Sequence, residues 1–396
     1  MKNQRMKRRR FLRAAATGAA GVFLTSPAAV SAEAAGFIKI EEPFHGAVLN
    51  RRHGQAVDGG LKIPVAGEAP LRDRVMVNGK PARREGTRFV SEVTLVEKET
   101  EIVATSAGRF GRLEQRVRVV WDRHSQPRYR FSIDDNSFFL RDITQKKYAS
   151  LFDGFYLKMV RDLHGKYGAR FVLNIYYTTE DGFELPQFPD RYKDEWKDSA
   201  DWLKLAFHNW ADKPDRPYQY ASAQQLIADL DKVAEQIHRF AGEQTYSPPT
   251  VIHWGMVQPP ALKALVKRGV RVLSGYFDRR EGDGWDVNYL LDDDRSEYLS
   301  RHDALMDFDR GIVFSKLDIV CNSTPIERIV PTLEPLAQDP NTAEIMDLFT
   351  HEQYFWPFYS NYLPDHAQRL DTALRWVTEH GYKPVFFHEG FLGAAE

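Results

Sequence analysis

Beyond Pro127 the sequence alternates short apolar runs with amphipathic stretches of helical period, and that rhythm admits few architectures. A run that reads as a buried strand, Arg130-Phe131-Ser132-Ile133, ends in Asp134-Asp135-Asn136. A helix is predicted over residues 148–167, with Leu151, Phe155, Met159 and Leu163 on one face and a stop at Gly168. Strand character returns at residues 169–177, and a long aromatic insert then leads to a strand over 203–208. Ser222 opens a helix that runs to Phe240. The pattern repeats with a strand at 249–254, a helix at 259–268 and a strand at 270–274. Residues 276–323 read as a hairpin-rich insertion, followed by a helix over 326–336, a strand over 344–352, a helix over 365–380 and a last strand over 383–387. Units of this length and order predict an α/β fold, a distorted (β/α) barrel over residues 126–396.

Residues 36–125 follow a different period. Apolar and polar positions alternate there with turn residues at short intervals, and Val75-Met76-Val77 runs into Asn78-Gly79, a strong hairpin signal. Several short strands without a helix predict a small all-β sandwich. The run Val75-Met76-Val77-Asn78-Gly79-Lys80 resembles the immunoglobulin-like modules attached to extracellular carbohydrate-active enzymes. No catalytic cluster is found in it. Residues 1–35 read as an address: Arg8-Arg9-Arg10-Phe11-Leu12 precedes a mildly apolar run too short to span a bilayer, and small residues near Ala32 suit a signal peptidase. The paired arginines resemble a twin-arginine export signal. The expected location is periplasmic or secreted, with no stable membrane span after signal removal.

A hydrophobic fraction of 43% supports a large packed core, and a net charge of -1 with no block asymmetry beyond the first residues argues against nucleic acid as partner. Cys321 is the single cysteine, which excludes a disulfide framework and a cysteine-rich zinc site. A metal held by this chain must use histidines and carboxylates.

Such residues recur where chemistry would need them. Asp134 and Asp135, His208, His253, and His351 with Glu352 each stand at the C-terminal end of a different predicted strand. In a β/α barrel those ends converge on one face, where active sites are built. The blander alternative for Asp134-Asp135-Asn136 is a cap on the helix or turn that follows. For any one histidine after an apolar strand, a core or loop role is the simpler account; the repetition at several strand ends reverses that judgement.

From residue 129 to 391 the order of these pieces resembles the polysaccharide deacetylase, or NodB-homology, domains. Ser132-Ile133-Asp134-Asp135-Asn136 is similar to that family's first motif, Thr-Phe-Asp-Asp-Gly. His208-Asn209-Trp210-Ala211-Asp212 sits where the family has two histidines at the same spacing, with Asp212 in the second place. The segment from Val251 to Leu273 has the layout of the third motif, but His253 stands where an arginine would be expected. Leu348-Phe349-Thr350-His351 resembles the late Leu-x-His motif.

The resemblance implies a divalent metal, with zinc expected, held by Asp135 and His208, with Asp212 or His253 as third ligand. It implies that Asp134 is the base and His351 the acid in removal of N- or O-acetyl groups from an extracellular polysaccharide or oligosaccharide. Arg216, Trp254, Tyr276, Glu352 and Tyr354 are the candidate substrate contacts. The altered third motif keeps a second reading open, a catalytically inactive carbohydrate- or cell-wall-binding protein, and a third, another hydrolytic or lyase chemistry on the same scaffold.

Overall fold

The computed structural model describes residues 36–280 and 284–389, so the expected export signal over residues 1–35 lies outside the described residues. The first part of the chain forms two five-stranded sheets. One is ordered Lys39–Glu42, Gly60–Glu68, Arg88–Leu95, Arg83–Glu85, with Gln55–Val57 also on Gly60–Glu68. The other is ordered Val48–Leu49, Gly111–Trp121, Glu99–Gly108, Arg74–Val77, Lys80–Pro81. Inward residues of both, among them Val65, Phe89, Leu95, Val75, Ile102 and Val119, share one buried cluster. The Asn78-Gly79 turn forms as expected, with both residues at positive φ (45° and 75°), the conformation a two-residue hairpin loop demands.

The second part is a mixed α/β unit. Its main sheet has six strands, in the order Leu203–Asn209, Phe171–Tyr176, Arg128–Asn136, Ile345–His351, Ile319–Val320, with Lys383–Pro384 beside the start of Arg128–Asn136. All these pairings are parallel. Every residue of Arg128–Asn136 is buried, as a strand covered on both faces requires. A separate three-stranded sheet holds Val272–Gly275, Ile312–Lys316 and Ala304–Asp307. Segment 246–250 lies between the two sheets without joining either as a strand: Leu205 of the larger sheet bridges to Tyr246, and the Ser274 amide of the smaller sheet donates to Thr250 O (2.8 Å).

The weak link lies where a strand was expected at 249–254. Pro248 and Pro249 have no N–H to give a ladder, and the segment ends in a 3-10 turn, His253–Gly255, in which Trp254 and Gly255 take positive φ (63° and 52°). The helix expected over 148–167 is also divided. Helix Phe138–Lys146 precedes it and ends on left-handed Lys147; a turn, Leu151–Asp153, is capped by Ser150; helix Phe155–Tyr167 then ends on left-handed Gly168. The last strand is shorter than expected, Lys383–Pro384, with a 3-10 turn at Phe387–Glu389. Ser222 caps helix Ala223–Phe240 by accepting the Gln225 amide, as the sequence predicts. The two parts of the chain are joined by an apolar cluster that includes Val48, Val120, Val272 and Ile345, and by Arg52 paired to Glu344 at 2.7 Å.

Between the sheets the interior is polar at one level. Arg130, fully buried, pairs with fully buried Asp347 (2.7 Å) and donates to Thr250 Oγ1 (2.8 Å), while Ser274 Oγ donates to the same aspartate. Burial pushes the Asp347 carboxyl up to about 6, against the pull of Arg130.

Candidate metal centre

Two adjacent side chains on a regular strand point to opposite faces. Asp134 and Asp135 escape that rule because the pairing of Arg128–Asn136 with Phe171–Tyr176 shifts register between Ile133 and Asn136, and Asp135 takes a positive φ of 59°. Both carboxylates thereby reach one imidazole. His208 Nε2 is 3.8 Å from Asp134 Oδ2 and 3.1 Å from Asp135 Oδ1. His208 comes from the end of strand Leu203–Asn209, and His253 arrives from the turn after the two prolines. Its Nδ1 lies 3.1 Å from His208 Nε2 and 3.4 Å from Asp135 Oδ1.

These separations are the test of fit for a cation. Tetrahedral zinc with bonds of about 2.0–2.2 Å to nitrogen and oxygen holds neighbouring donors roughly 3.3 Å apart. The three observed edges, 3.1, 3.1 and 3.4 Å, match that spacing. Two ring nitrogens facing each other at 3.1 Å must share either a proton or a cation. Asp135, His208 and His253 are all buried, and among the described residues they are the one such group of acidic or imidazole donors. Of the two candidates that the sequence leaves open for a third ligand, Asp212 and His253, it is His253 that stands with Asp135 and His208. Asp212 falls outside the group, its carboxylate 3.4 Å from the Tyr176 hydroxyl.

The electrostatics agree. Burial pushes the Asp135 carboxyl up, but the imidazoles of His351, His208 and His253 outweigh it and hold the group well below the usual carboxylate range. Burial lowers His208, and Asp134 and Asp135 more than offset this, so its pKa is raised. The ion pairs of Asp134 and Asp135 among the described residues are all with histidines. A buried carboxylate pair without lysine or arginine is costly unless a cation joins it.

Around this core each neighbour has an identifiable task. Asp134 Oδ1 accepts from Ser132 Oγ (2.7 Å) and Asn174 Nδ2 (2.5 Å), which leaves Oδ2 facing His208. His351 Nδ1 is 2.9 Å from Asn322 Oδ1, an acceptor, so Nδ1 carries the hydrogen and Nε2 faces Asp135 Oδ2 at 3.8 Å. Burial lowers the His351 pKa, against the attraction of Asp135 and Asp134.

The capping alternative for Asp134-Asp135-Asn136 does not hold. Glu352 takes that role from 215 residues away: its carboxylate accepts the amides of Ser137 (2.6 Å), Phe138 (2.9 Å) and Phe139 (2.6 Å), and Trp356 Nε1 at 3.0 Å. Fully buried and so engaged, Glu352 is not a substrate contact, and burial pushes its carboxyl up to about 7 against these four donors. Arg216 also departs from expectation, because its guanidinium pairs with Asp286 at 2.8 Å instead of standing ready for an anion. The other candidate contacts lie near the centre. The Trp254 ring is 6.3 Å from that of His253, Tyr354 is 6.1 Å from His351, and Tyr276 packs on Phe349, which packs in turn on His351.

Two residues that the sequence did not single out enter the centre. The Tyr176 hydroxyl donates to Asp135 Oδ1 and lies 3.4 Å from His253 Nδ1, and Gln353 Nε2 donates to Asp135 Oδ2 at 2.9 Å.

No family model matches the chain, and no curated protein matches it. Among solved structures it is similar to a peptidoglycan N-acetylglucosamine deacetylase in complex with 4-naphthalen-1-yl-N-oxidanyl-benzamide, at 9% identity over 66% of this chain and 86% of that one, with a TM-score of 0.35. A candidate alpha-galactosidase from Bacteroides fragilis NCTC 9343 aligns at 10% identity over 87% and 79% of the two chains, with a TM-score of 0.26. An engineered protein aligns at 14% identity over 22% and 20%, with a TM-score of 0.17. Scores this low assign neither family nor activity, and the chemistry is argued from the geometry of Asp134, Asp135, His208, His253 and His351.

Proposed function

We propose that the chain is an exported, metal-dependent hydrolase that removes N- or O-acetyl groups from an extracellular polysaccharide or oligosaccharide. On this reading the α/β unit is a distorted barrel of NodB-homology type and the two-sheet unit an immunoglobulin-like module. The observation that carries it is the Asp135, His208 and His253 triangle, with Asp134 and His351 on its flanks.

The triangle suits a divalent ion, zinc by its mix of imidazole and carboxylate donors. Once bound, such an ion supplies Lewis acidity towards an acyl carbonyl and lowers the pKa of water to about 7. Asp134 receives the proton of the attacking water on Oδ2, since Oδ1 is already committed to Ser132 and Asn174. His351 delivers a proton from Nε2 to the departing amine or alcohol, its ring fixed by the Asn322 bond at Nδ1. Its lowered pKa makes the protonated ring a stronger acid. Trp254, Tyr276 and Tyr354 border the centre and are the proposed sugar contacts.

Zinc-reconstituted protein is incubated with a panel of N- and O-acetylated glycans, and acetate is measured. The expected result is acetate release that falls about a hundredfold to ten-thousandfold in Asp134→Asn, the range for loss of a general base. Stoichiometric zinc with no acetate from any glycan would overturn the hydrolase and leave a glycan-binding protein. Cleaved glycan chains without acetate would point to the other chemistry on this scaffold.

A further inference from the structure

We propose that Tyr176 and Gln353 are positioning residues of the metal centre that set the orientation and charge of Asp135. The inference rests on the metal reading above and extends it to side chains outside the ligand triangle. Asp135 is held at both oxygens: the Tyr176 phenol donates to Oδ1, the oxygen that faces the two imidazoles, and the Gln353 amide donates to Oδ2 at 2.9 Å. With the two oxygens fixed, the plane of the carboxylate is fixed.

Tyr176 does more than a neighbour in the core would. It is 2% exposed at the end of strand Phe171–Tyr176, and its hydroxyl also lies 3.4 Å from His253 Nδ1 and 3.4 Å from Asp212 Oδ1. Its single hydrogen goes to Asp135, so a phenol rather than a cation lies against the ligating oxygen. Both donors are neutral, and neither cancels the negative charge that attracts a metal. They hold the carboxylate in one orientation while leaving it ionised, so less ordering remains to be done when an ion binds. Partners of ligating groups in this outer position usually control metal affinity by about 10–100-fold.

Tyr176→Phe removes the hydroxyl and keeps the ring, and Gln353→Leu removes the amide at similar volume. Zinc affinity is measured by competition with a chromophoric chelator, and the visible spectrum of the cobalt(II)-loaded protein reports ligand geometry. Tyr177→Phe is the control, because Tyr177 stacks on Trp210 at 4.1 Å, outside the triangle. The expected result is zinc binding about 10–100-fold weaker in Tyr176→Phe, a smaller loss in Gln353→Leu, altered cobalt spectra in both, and neither change in Tyr177→Phe. Affinities within twofold of the unaltered protein with unchanged cobalt spectra would overturn the assignment while leaving the metal centre intact. Equal weakening in the Tyr177→Phe control would also overturn it, since the effect would then be general destabilisation. Failure of the unaltered protein to bind zinc would remove both this inference and the reading beneath it.

Discussion

Two buried polar clusters lie four residues apart on the same pair of strands, and they are built on opposite principles. At one level Arg130 sits opposite Asp347 in the register of Arg128–Asn136 with Ile345–His351; at the next Asp134 sits opposite His351. The first cluster is internally balanced, a guanidinium against a carboxylate with Thr250 and Ser274 completing the hydrogen bonds. The second gathers two carboxylates and three imidazoles with neutral donors around them. The same strands therefore carry one charge pair that closes on itself and one group whose balance calls for a cation. Burial alone does not mark a functional site; buried charge without a fixed counter-charge does.

The contrast can be broken at either cluster. Asp135→Ala takes away one corner of the triangle, and the expected effect is loss of stoichiometric zinc, beyond the roughly 100-fold that an outer partner controls; equilibrium dialysis measures it. Retention of one zinc per chain would mean that the triangle is not the ligand set. Arg130→Met acts at the balanced level instead. It leaves Asp347 buried and uncompensated, with an expected cost of about 3–5 kcal/mol in urea unfolding and unchanged zinc stoichiometry in the folded fraction. A cost below about 1 kcal/mol would show that water or a neighbour substitutes for the guanidinium.

Glu352→Ala sharpens the comparison from between the clusters. Removing the carboxylate leaves the amides of Ser137, Phe138 and Phe139 without their acceptor. The expected destabilisation is about 1–3 kcal/mol, and zinc binding should also weaken because the bulge at Asp135 is anchored through that helix start. A variant as stable as the parent would remove Glu352 from the account.

The smallest effect is the dependence of zinc affinity on pH. The His208 pKa is raised above 6.5 in the protein without metal, so its proton competes with the ion at higher pH than a free imidazole would. Affinity should therefore rise with pH through 6.5 and above, by at most about tenfold per unit for one displaced proton. An affinity flat between pH 6 and 8 would argue that metal binding displaces no proton from His208.

Much of this site was legible in the sequence, because strand-end position and residue chemistry bring Asp134, Asp135, His208 and His351 to one place, whereas His253 joins them from a 3-10 turn where a strand end was expected. Local signals also held: the Asn78-Gly79 hairpin, the Ser222 cap and the stop at Gly168 follow from backbone preferences that operate over a few residues. What escaped depends on contacts distant in the chain. The bulge at Asp135 is a property of strand pairing, Tyr176 reads as one more aromatic in an apolar strand, and Arg216 meets Asp286 across 70 residues. Glu352 stands beside His351 and so reads as a substrate contact; the helix it caps begins at Phe138, far upstream. The segment at 249–254 misleads for another reason, since its apolar residues suggest a strand while its prolines remove the hydrogen bonds a strand would need.

The central claim is that Asp135, His208 and His253 together hold a divalent cation. Zinc K-edge X-ray absorption on protein carrying one zinc per chain tests it most directly. The account predicts a first shell of two imidazole nitrogens and low-Z oxygen at about 2.0–2.2 Å, with the imidazole scattering halved in His253→Ala. A shell without imidazole scattering, or one unchanged by His253→Ala, would contradict it.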